Sequence, residues 1–285
     1  MSLYHKMQGS LLVEVVNSNP NGDPLNGNRP RQNSEGYGYI TRECIARKVR
    51  NRLQDAGLSI YVQSEDRVDD GNITLKERLA KSGVMNVKTT EDKAMLACKK
   101  WIDVRTFGQV FAFKGDKEDA GGDSIGIRGP VSVQDAYSLD PVETESIQIT
   151  KSCSSVLKEG ETRSSDTMGM KHQVKYGLYR INFTMNPQLA DKTGFSDKDA
   201  DTVIEAFRTL FENDESSARP AGTMNIKKFV VWNHGNRTGK ANVKDVFDSL
   251  SVKLKDGVNG IPASTDDYDI TLNPIEGIEC KEYKV

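Results

Sequence analysis

Residues Ser10–Ala56 read SLLVEVVNSNPNGDPLNGNRPRQNSEGYGYITRECIARKVRNRLQDA, and the two ends of this stretch decide the fold class. Ser10–Asn17 is rich in β-branched residues and runs into an Asn/Pro/Gly cluster, the pattern of a strand feeding a long loop. In Thr41–Ala56, Ile45, Val49 and Leu53 recur every four residues. Thr41 is a capping residue and Gly57 follows the end, so this segment predicts a helix. Working outward, short helices are expected over Ile73–Lys81 and Thr90–Lys100. Strands are expected over Asp103–Phe113 and Ser124–Val133, separated by a flexible stretch Lys114–Asp123, and again over Tyr176–Met185. Asp197–Phe211 sets Ala200, Val203, Ile204, Phe207, Leu210 and Phe211 on one face of an amphipathic helix. Ile226–Asn233 reads as a strand and Asn242–Leu250 as a last short helix.

Without insertions the order is strand, helix, strands, helix, strand, the βαββαβ split pattern of ferredoxin-like and RRM-like domains. The expected fold class is α+β, an RRM-like (ferredoxin-like) palm. Its insertions would be Pro20–Tyr39, Leu58–Lys100 and roughly Ala136–Lys175. No internal repeat or low-complexity linker marks a second unit, so residues 1–285 are expected to form a single decorated domain.

Hydrophobic residues at 36% and charged residues at 28% are compatible with a packed core and argue against a disordered chain. No apolar run approaches the ~20 residues of a membrane helix. Residues 1–10 lack the apolar segment of a signal peptide. Cys44, Cys98, Cys153 and Cys280 lie far apart with no C-x-x-C pair, which points to neither a disulfide framework nor a zinc site. The expectation is a soluble cytoplasmic protein with no membrane association and no cofactor. In bulk, a net charge of -2 argues against nucleic acid. Charge is nonetheless partitioned. Gly27–Arg52 carries seven basic residues against Glu35 and Glu43, whereas Gln54–Asp70 and Ser196–Glu215 are acidic. Such blocks are either solvated faces or the means of holding a polyanion locally.

The loop Asn17–Arg31 holds five Asn, two Gly and three Pro, a composition of preset turns. Exposed backbone N–H groups form an anion-binding concavity, and Arg29 and Arg31 present guanidinium forks for phosphate oxygens. A P-loop motif is absent. An EF-hand fails at its twelfth position, Asn28, where a bidentate Glu is needed. A purely structural loop and a phosphate cradle both fit these residues, and the basic helix behind them favours the cradle. His5, His172 and His234 are the only histidines and form no evident catalytic dyad.

NPNGDPLNGNRPR followed by ITRECIARKVRN resembles the backbone subunit of type I CRISPR surveillance complexes, the Cas7 family. DVRTFGQVF, IRGPVSVQDAYSLDPV, TMGMKHQVKYGLYR and FVVWNH look like that family's further blocks, in the same order. The likeness runs from about Leu11 to about Asn236 and is nearest the branch typical of subtype I-C. It implies an RRM-like palm with finger insertions at about 20–39 and 58–100 and a thumb β-hairpin at about 136–175. Copies would stack head to tail along a CRISPR RNA, grip its phosphates and leave the guide free to pair with a target DNA strand. Other Cascade subunits would be partners, and a separate helicase-nuclease would cut, so this chain is expected not to be an enzyme. Sequence selection would rest on base pairing. Stacking would use a heterologous interface, with basic and acidic blocks of neighbours meeting.

The same resemblance implies site residues. Arg42, Arg47 and Lys48 match the family's basic helix, with Arg50 and Arg52 continuing around it. Asn19, Asn21, Asn28, Arg29 and Arg31 would contact phosphate or ribose. Arg105, Phe107 and Gln109 would alternate on one face of a palm strand, with Phe107 in the core. In the thumb, read over Ile147–Tyr176, Lys151, Lys171, His172 and Lys175 would flank phosphates. Met168 and Met170 would either wedge between bases or pack under the hairpin. An enzymatic alternative is a metal-dependent ribonuclease using Asp23, which lies where related type III subunits carry an RNA-cleaving aspartate. Repeat-RNA processing with His172 as acid–base ranks below it, as does a generic RRM-type RNA binder.

Overall fold

A computed structural model describes residues 1–112, 124–150 and 168–285. Lys151, the tip of the expected thumb and the stretch Lys114–Asp123 lie outside the described residues. The first strand, β1 (Met7–Ser18), sends Leu11, Val13 and Val15 into one hydrophobic layer and Leu12 into another. Both faces of this strand are covered, which is why it reads as a continuous apolar run. The loop beyond it holds the two-residue strands β2 (Gly22–Asp23) and β3 (Arg29–Pro30), then β4 (Tyr37–Ile40). Helix α1 (Arg42–Asp55) is capped by Thr41, whose hydroxyl accepts from the Cys44 N–H at 3.3 Å, and buries Ile45, Val49 and Leu53.

The first large insertion holds α2 (Leu75–Lys81), α3 (Thr90–Lys100) and α4 (Ile102–Phe107), followed by the hairpin strands β5 (Gly108–Ala112) and β6 (Ser124–Arg128). Next come β7 (Val131–Val133), β8 (Ala136–Pro141), β9 (Thr144–Thr150) and the long β10 (Met168–Met185). Helices α5 (Pro187–Thr193) and α6 (Asp197–Arg208) lead to β11 (Met224–Asn233). The C-terminal part holds α7 (Val243–Asp248), β12 (Leu250–Leu254), β13 (Tyr268–Leu272) and β14 (Glu279–Tyr283).

The main sheet runs β14-β11-β1-β10-β8-β4, with β7 and β9 also paired to β10. Every pairing in it is antiparallel. One face packs against α1 and α6. There Phe183 stacks on Phe207 at 4.2 Å between centroids, a contact worth about 0.5–1.5 kcal/mol beyond its buried area. Leu12, Leu178, Val230 and Trp232 fill the opposite face, which is roofed by Val246, Phe247, Leu250 and Tyr268 of the C-terminal elements. The insertion has a core of its own, built on Tyr61, Trp101 and Phe111.

Three expectations need correcting. Asp103–Phe113 is not one strand: residues through Phe107 are helical and Gly108–Ala112 are extended, with Phe113 outside the described residues. Its alternating pattern is overridden by burial, because Ile102, Asp103, Val104 and Thr106 are all enclosed. Ser124–Val133 is divided between β6 and β7, with Pro130 at the break, where it cannot donate to a ladder. The third is the C-terminal roof, of which only a short helix was foreseen. Two sequence blocks meet backbone to backbone at the β5–β6 hairpin. A Cβ on Gly108 (φ +81°) would stand 2.2 Å from the Ile127 carbonyl oxygen, and one on Gly129 would stand 2.3 Å from that of Thr106.

Candidate nucleic-acid interface

The loop after β1 is held open by its own side chains. Asn19 is buried, and its amide donates to the Asn28 carbonyl at 2.7 Å. The Asn21 side-chain oxygen accepts from the Thr41 N–H at 2.9 Å, which fixes the loop to the start of α1. The Asp23 carboxylate accepts from the Leu25 N–H at 3.2 Å and lies 3.5 Å from the Arg31 guanidinium. Asn28 adopts φ 59°, a left-handed conformation that Asn tolerates, and its backbone N–H donates to the Asp23 carbonyl at 2.8 Å. Two buried side-chain atoms of the loop have no hydrogen-bond partner among the described residues: the Asn19 side-chain oxygen and the Arg31 Nε. Asn28 and Arg29 are exposed.

Arg29 carries the loop to the hairpin formed by β9 and β10. Its guanidinium donates to the Ser146 hydroxyl at 3.0 Å, and that hydroxyl is 2.8 Å from Nδ1 of His172. In the register of β9 and β10, Ser146 faces His172, Gln148 faces Met170 and Thr150 faces Met168. Cross-strand partners share a face, so Met168, Met170 and His172 stand on the side that Arg29 reaches. Met168 and Met170 are 58% and 54% exposed, so both side chains stand open to solvent on this face. Ile147 and Ile149 project from the other face with Lys171. Lys175 is exposed and pairs with Glu143 at 3.0 Å.

Helix α1 differs from the expectation. Lys48 is 4% exposed and forms a close ion pair with Asp214, whose same oxygen lies 3.1 Å from Arg219. Burial pushes the Lys48 ammonium below its usual pKa, with Asp214 opposing the shift. Lys48 is therefore an internal strut between α1 and the segment after α6, unavailable to a ligand. Arg47 is half-buried and donates to the Val62 carbonyl at 2.6 Å. Arg50 meets Asp103 at 3.1 Å, and Arg52 meets Asp55 at 2.9 Å. Of the helix cations only Arg42 is fully exposed, and it pairs with its neighbour Glu43 at 2.8 Å. Among the described residues only Lys48 and Arg52 of this basic stretch pair with the acidic blocks, while Arg31, Arg42 and Arg50 pair with Asp23, Glu43 and Asp103, so the stretch is not one free basic face.

Arg105, Phe107 and Gln109 do not share a strand face. Arg105 sits on α4, donates to the Cys98 carbonyl at 3.0 Å and pairs with Asp199 at 2.8 Å. The ring of Phe107 lies under the Arg50 guanidinium at 4.9 Å, and Gln109 stands on β5. Ser146 had no signal in the sequence, because its importance comes from pairing across the hairpin. The sheet face opposite α1 and α6 is covered by the C-terminal roof. Thr265 donates to Glu14 at 2.6 Å and Tyr268 to Asp140 at 2.7 Å, pinning that roof down. Among the described residues no group of three His, Cys, Asp or Glu side chains is placed to hold a metal ion. Asp23 is instead engaged as cap and ion-pair partner. Among them, too, no helix is long and apolar enough to cross a membrane.

A family model described as CRISPR-associated protein Cas7 matches residues 5–273. A protein of Haloferax volcanii named CRISPR-associated protein Cas7 is 27% identical over 273 residues, covering 90% of this chain and 79% of its own. Among solved structures, a chain of a "CRISPR RNA-guided surveillance complex, pre-nicking" aligns at TM-score 0.48 and 12% identity, covering 80% of this chain and 78% of its own. A chain of a second "CRISPR RNA-guided surveillance complex" aligns at TM-score 0.46 and 15% identity, covering 80% of this chain and 68% of its own.

Proposed function

The chain belongs to the CRISPR-associated Cas7 family, and from that premise we propose that it is a CRISPR RNA-binding backbone subunit of a type I surveillance complex, of the subtype I-C kind. The sheet order β11-β1-β10-β8, with α1 and α6 on one face, supports reading the centre as the RRM-like palm. The insertions with the Trp101 core are the fingers, and β9 with β10 is the base of the thumb. One observation carries the reading: Arg29, Ser146 and His172 join the preset loop to the hairpin face that exposes Met168 and Met170. A guide strand crossing this junction would meet Arg29, Asn28 and His172 at its phosphates and riboses. The two thioether side chains would stand against its bases. Arg42, at the start of α1, adds a charge where the helix end also favours an anion.

In this account the subunit reads backbone and shape, and the guide reads the target DNA strand by base pairing. Its partners are the CRISPR RNA, further copies of itself and the other subunits of the complex, in the cytoplasm, with a helicase-nuclease acting on the assembled particle. The chain itself cuts nothing, since Asp23 is committed to holding its loop. Binding of purified protein to RNAs of equal length and unrelated sequence tests the reading. Affinities within about threefold, all falling steeply with salt, are expected. Cleavage of bound RNA in divalent metal that Asp23→Ala abolishes would replace this reading with the ribonuclease one.

A further inference from the structure

A second basic site lies at the opposite end of the sheet from the loop. A cavity of ≈ 390 Å³ is lined by Lys6, Arg128, Arg237, Asn186, Gln188 and Thr238, with Leu189 as its one apolar side chain. These residues come from four separate segments: the residue before β1, the last residue of β6, the start of α5 and the turn after β11. Three of them are cations, and no carboxylate lines the cavity. Arg237 is partly neutralised by Asp191 outside the lining, but Lys6 and Arg128 have no side-chain partner among the described residues. Lys6 precedes Asn19 by thirteen residues of mostly extended chain, roughly 40 Å at the rise of a strand.

The arginine is presented, not loosely attached. Arg128 directly precedes Gly129, whose backbone is locked against Thr106 and Phe107, so its position on the rim is fixed by the β5–β6 hairpin. The local field is positive on the neighbouring turn as well. Burial first, then Lys6 and Lys240, hold the enclosed His234 imidazole below its ordinary pKa. Gln188 donates its amide to the Arg237 carbonyl at 3.1 Å, which leaves the Arg128 guanidinium, the Lys6 ammonium, the Asn186 amide N–H groups, the Thr238 hydroxyl and the part of Arg237 not held by Asp191 to match the oxygens of a phosphate. The three cations and the absence of any lining carboxylate suit a backbone phosphate.

The geometry points to a second phosphodiester-binding site at Lys6, Arg128 and Arg237, separate from the loop and hairpin, that holds the backbone of a nucleic-acid strand crossing the far edge of the sheet. It extends the reading of the chain as a guide-binding subunit, since each copy would then touch nucleic acid at two places. The strand is either a distant part of the guide or the DNA paired to it; both present the same phosphate chemistry.

The test uses the assembled complex carrying Lys6→Gln and Arg128→Gln together, with an Arg128→Lys variant beside it. Both positions are at the surface, and unchanged thermal melting verifies that the fold is intact. One arm measures guide RNA binding, and the other measures binding of a complementary DNA strand to guide-loaded complex, each across a salt series. In one arm the double variant is expected to lose about tenfold affinity and to lower the salt slope by about 1.4, for two single-strand phosphate contacts. Arg128→Lys should keep most of the affinity. Loss in the RNA arm assigns the site to the guide, and loss in the DNA arm assigns it to the target. Unchanged affinity and slope in both arms overturns the proposal, as does loss of subunit association alone, which would mark a protein contact. Failure of wild-type protein to bind guide RNA at all would instead strike the functional reading.

Discussion

Replacing Lys48 by methionine separates an internal strut from an RNA contact. The Lys48 ammonium is 4% exposed, its partner Asp214 is 14% exposed, and Arg219 touches the same carboxylate oxygen at 3.1 Å. Removing one partner of a buried ion pair costs about 3–5 kcal/mol when the other is left uncompensated. Here Arg219 still neutralises Asp214, and methionine keeps the apolar stem beside Phe211, so a loss of about 2 kcal/mol is expected. At about 2–4 °C per kcal/mol for a chain approaching this size, melting should fall by about 4–8 °C. Asp214→Asn should cost more, because it strands a buried ammonium. The double substitution should then cost less than the two single effects added, with a coupling of about 0.5–3 kcal/mol. Scanning calorimetry gives the stabilities. RNA affinity measured well below the melting range should stay within about twofold of wild type. A tenfold loss of affinity with an unchanged melting temperature would refute the reasoning and return Lys48 to the RNA.

Arg29→Ala and Ser146→Ala each break the junction between loop and hairpin at an exposed position, so stability should move by no more than about 1 kcal/mol while RNA affinity drops in a gel-shift titration. Met168→Ala with Met170→Ala should leave melting within about 0.5 kcal/mol of wild type, since both side chains are exposed, yet weaken RNA binding; leucine at both positions should restore most of it. In the insertion, hydrogen bonding from the buried Arg78 holds the Asp70 carboxyl well below the usual carboxylate range. The unfolded chain therefore binds the proton first as pH falls. The stabilisation from Asp70 is present above about pH 4 and is lost as pH drops through the acid range, so acid titration of Asp70→Asn should show a flatter loss of stability than wild type.

Much of the fold was legible because its signals are local. The β-branched run of β1, the four-residue spacing of Ile45, Val49 and Leu53, and the apolar face of α6 each record a period that survives folding. The loop was legible too, since Asn, Gly and Pro set turns without help from distant residues. What remained hidden depends on partners far along the chain. Lys48 looked like a surface cation because Asp214 lies 166 residues away. The alternation around Arg105 looked extended, but Val104 and Trp101 are drawn into the insertion core and make the segment helical. Ser146 is one polar residue among several until the hairpin register brings it to His172. The cluster of Lys6, Arg128 and Arg237 was equally invisible, because four segments of chain must meet to make it.

The central claim is that several copies of this chain line one RNA. Native mass measurement of the protein assembled on guides of increasing length tests it directly. The account predicts that protein copies increase in equal steps as the RNA lengthens, each added copy covering a constant number of nucleotides. A single copy per RNA at every length would contradict it.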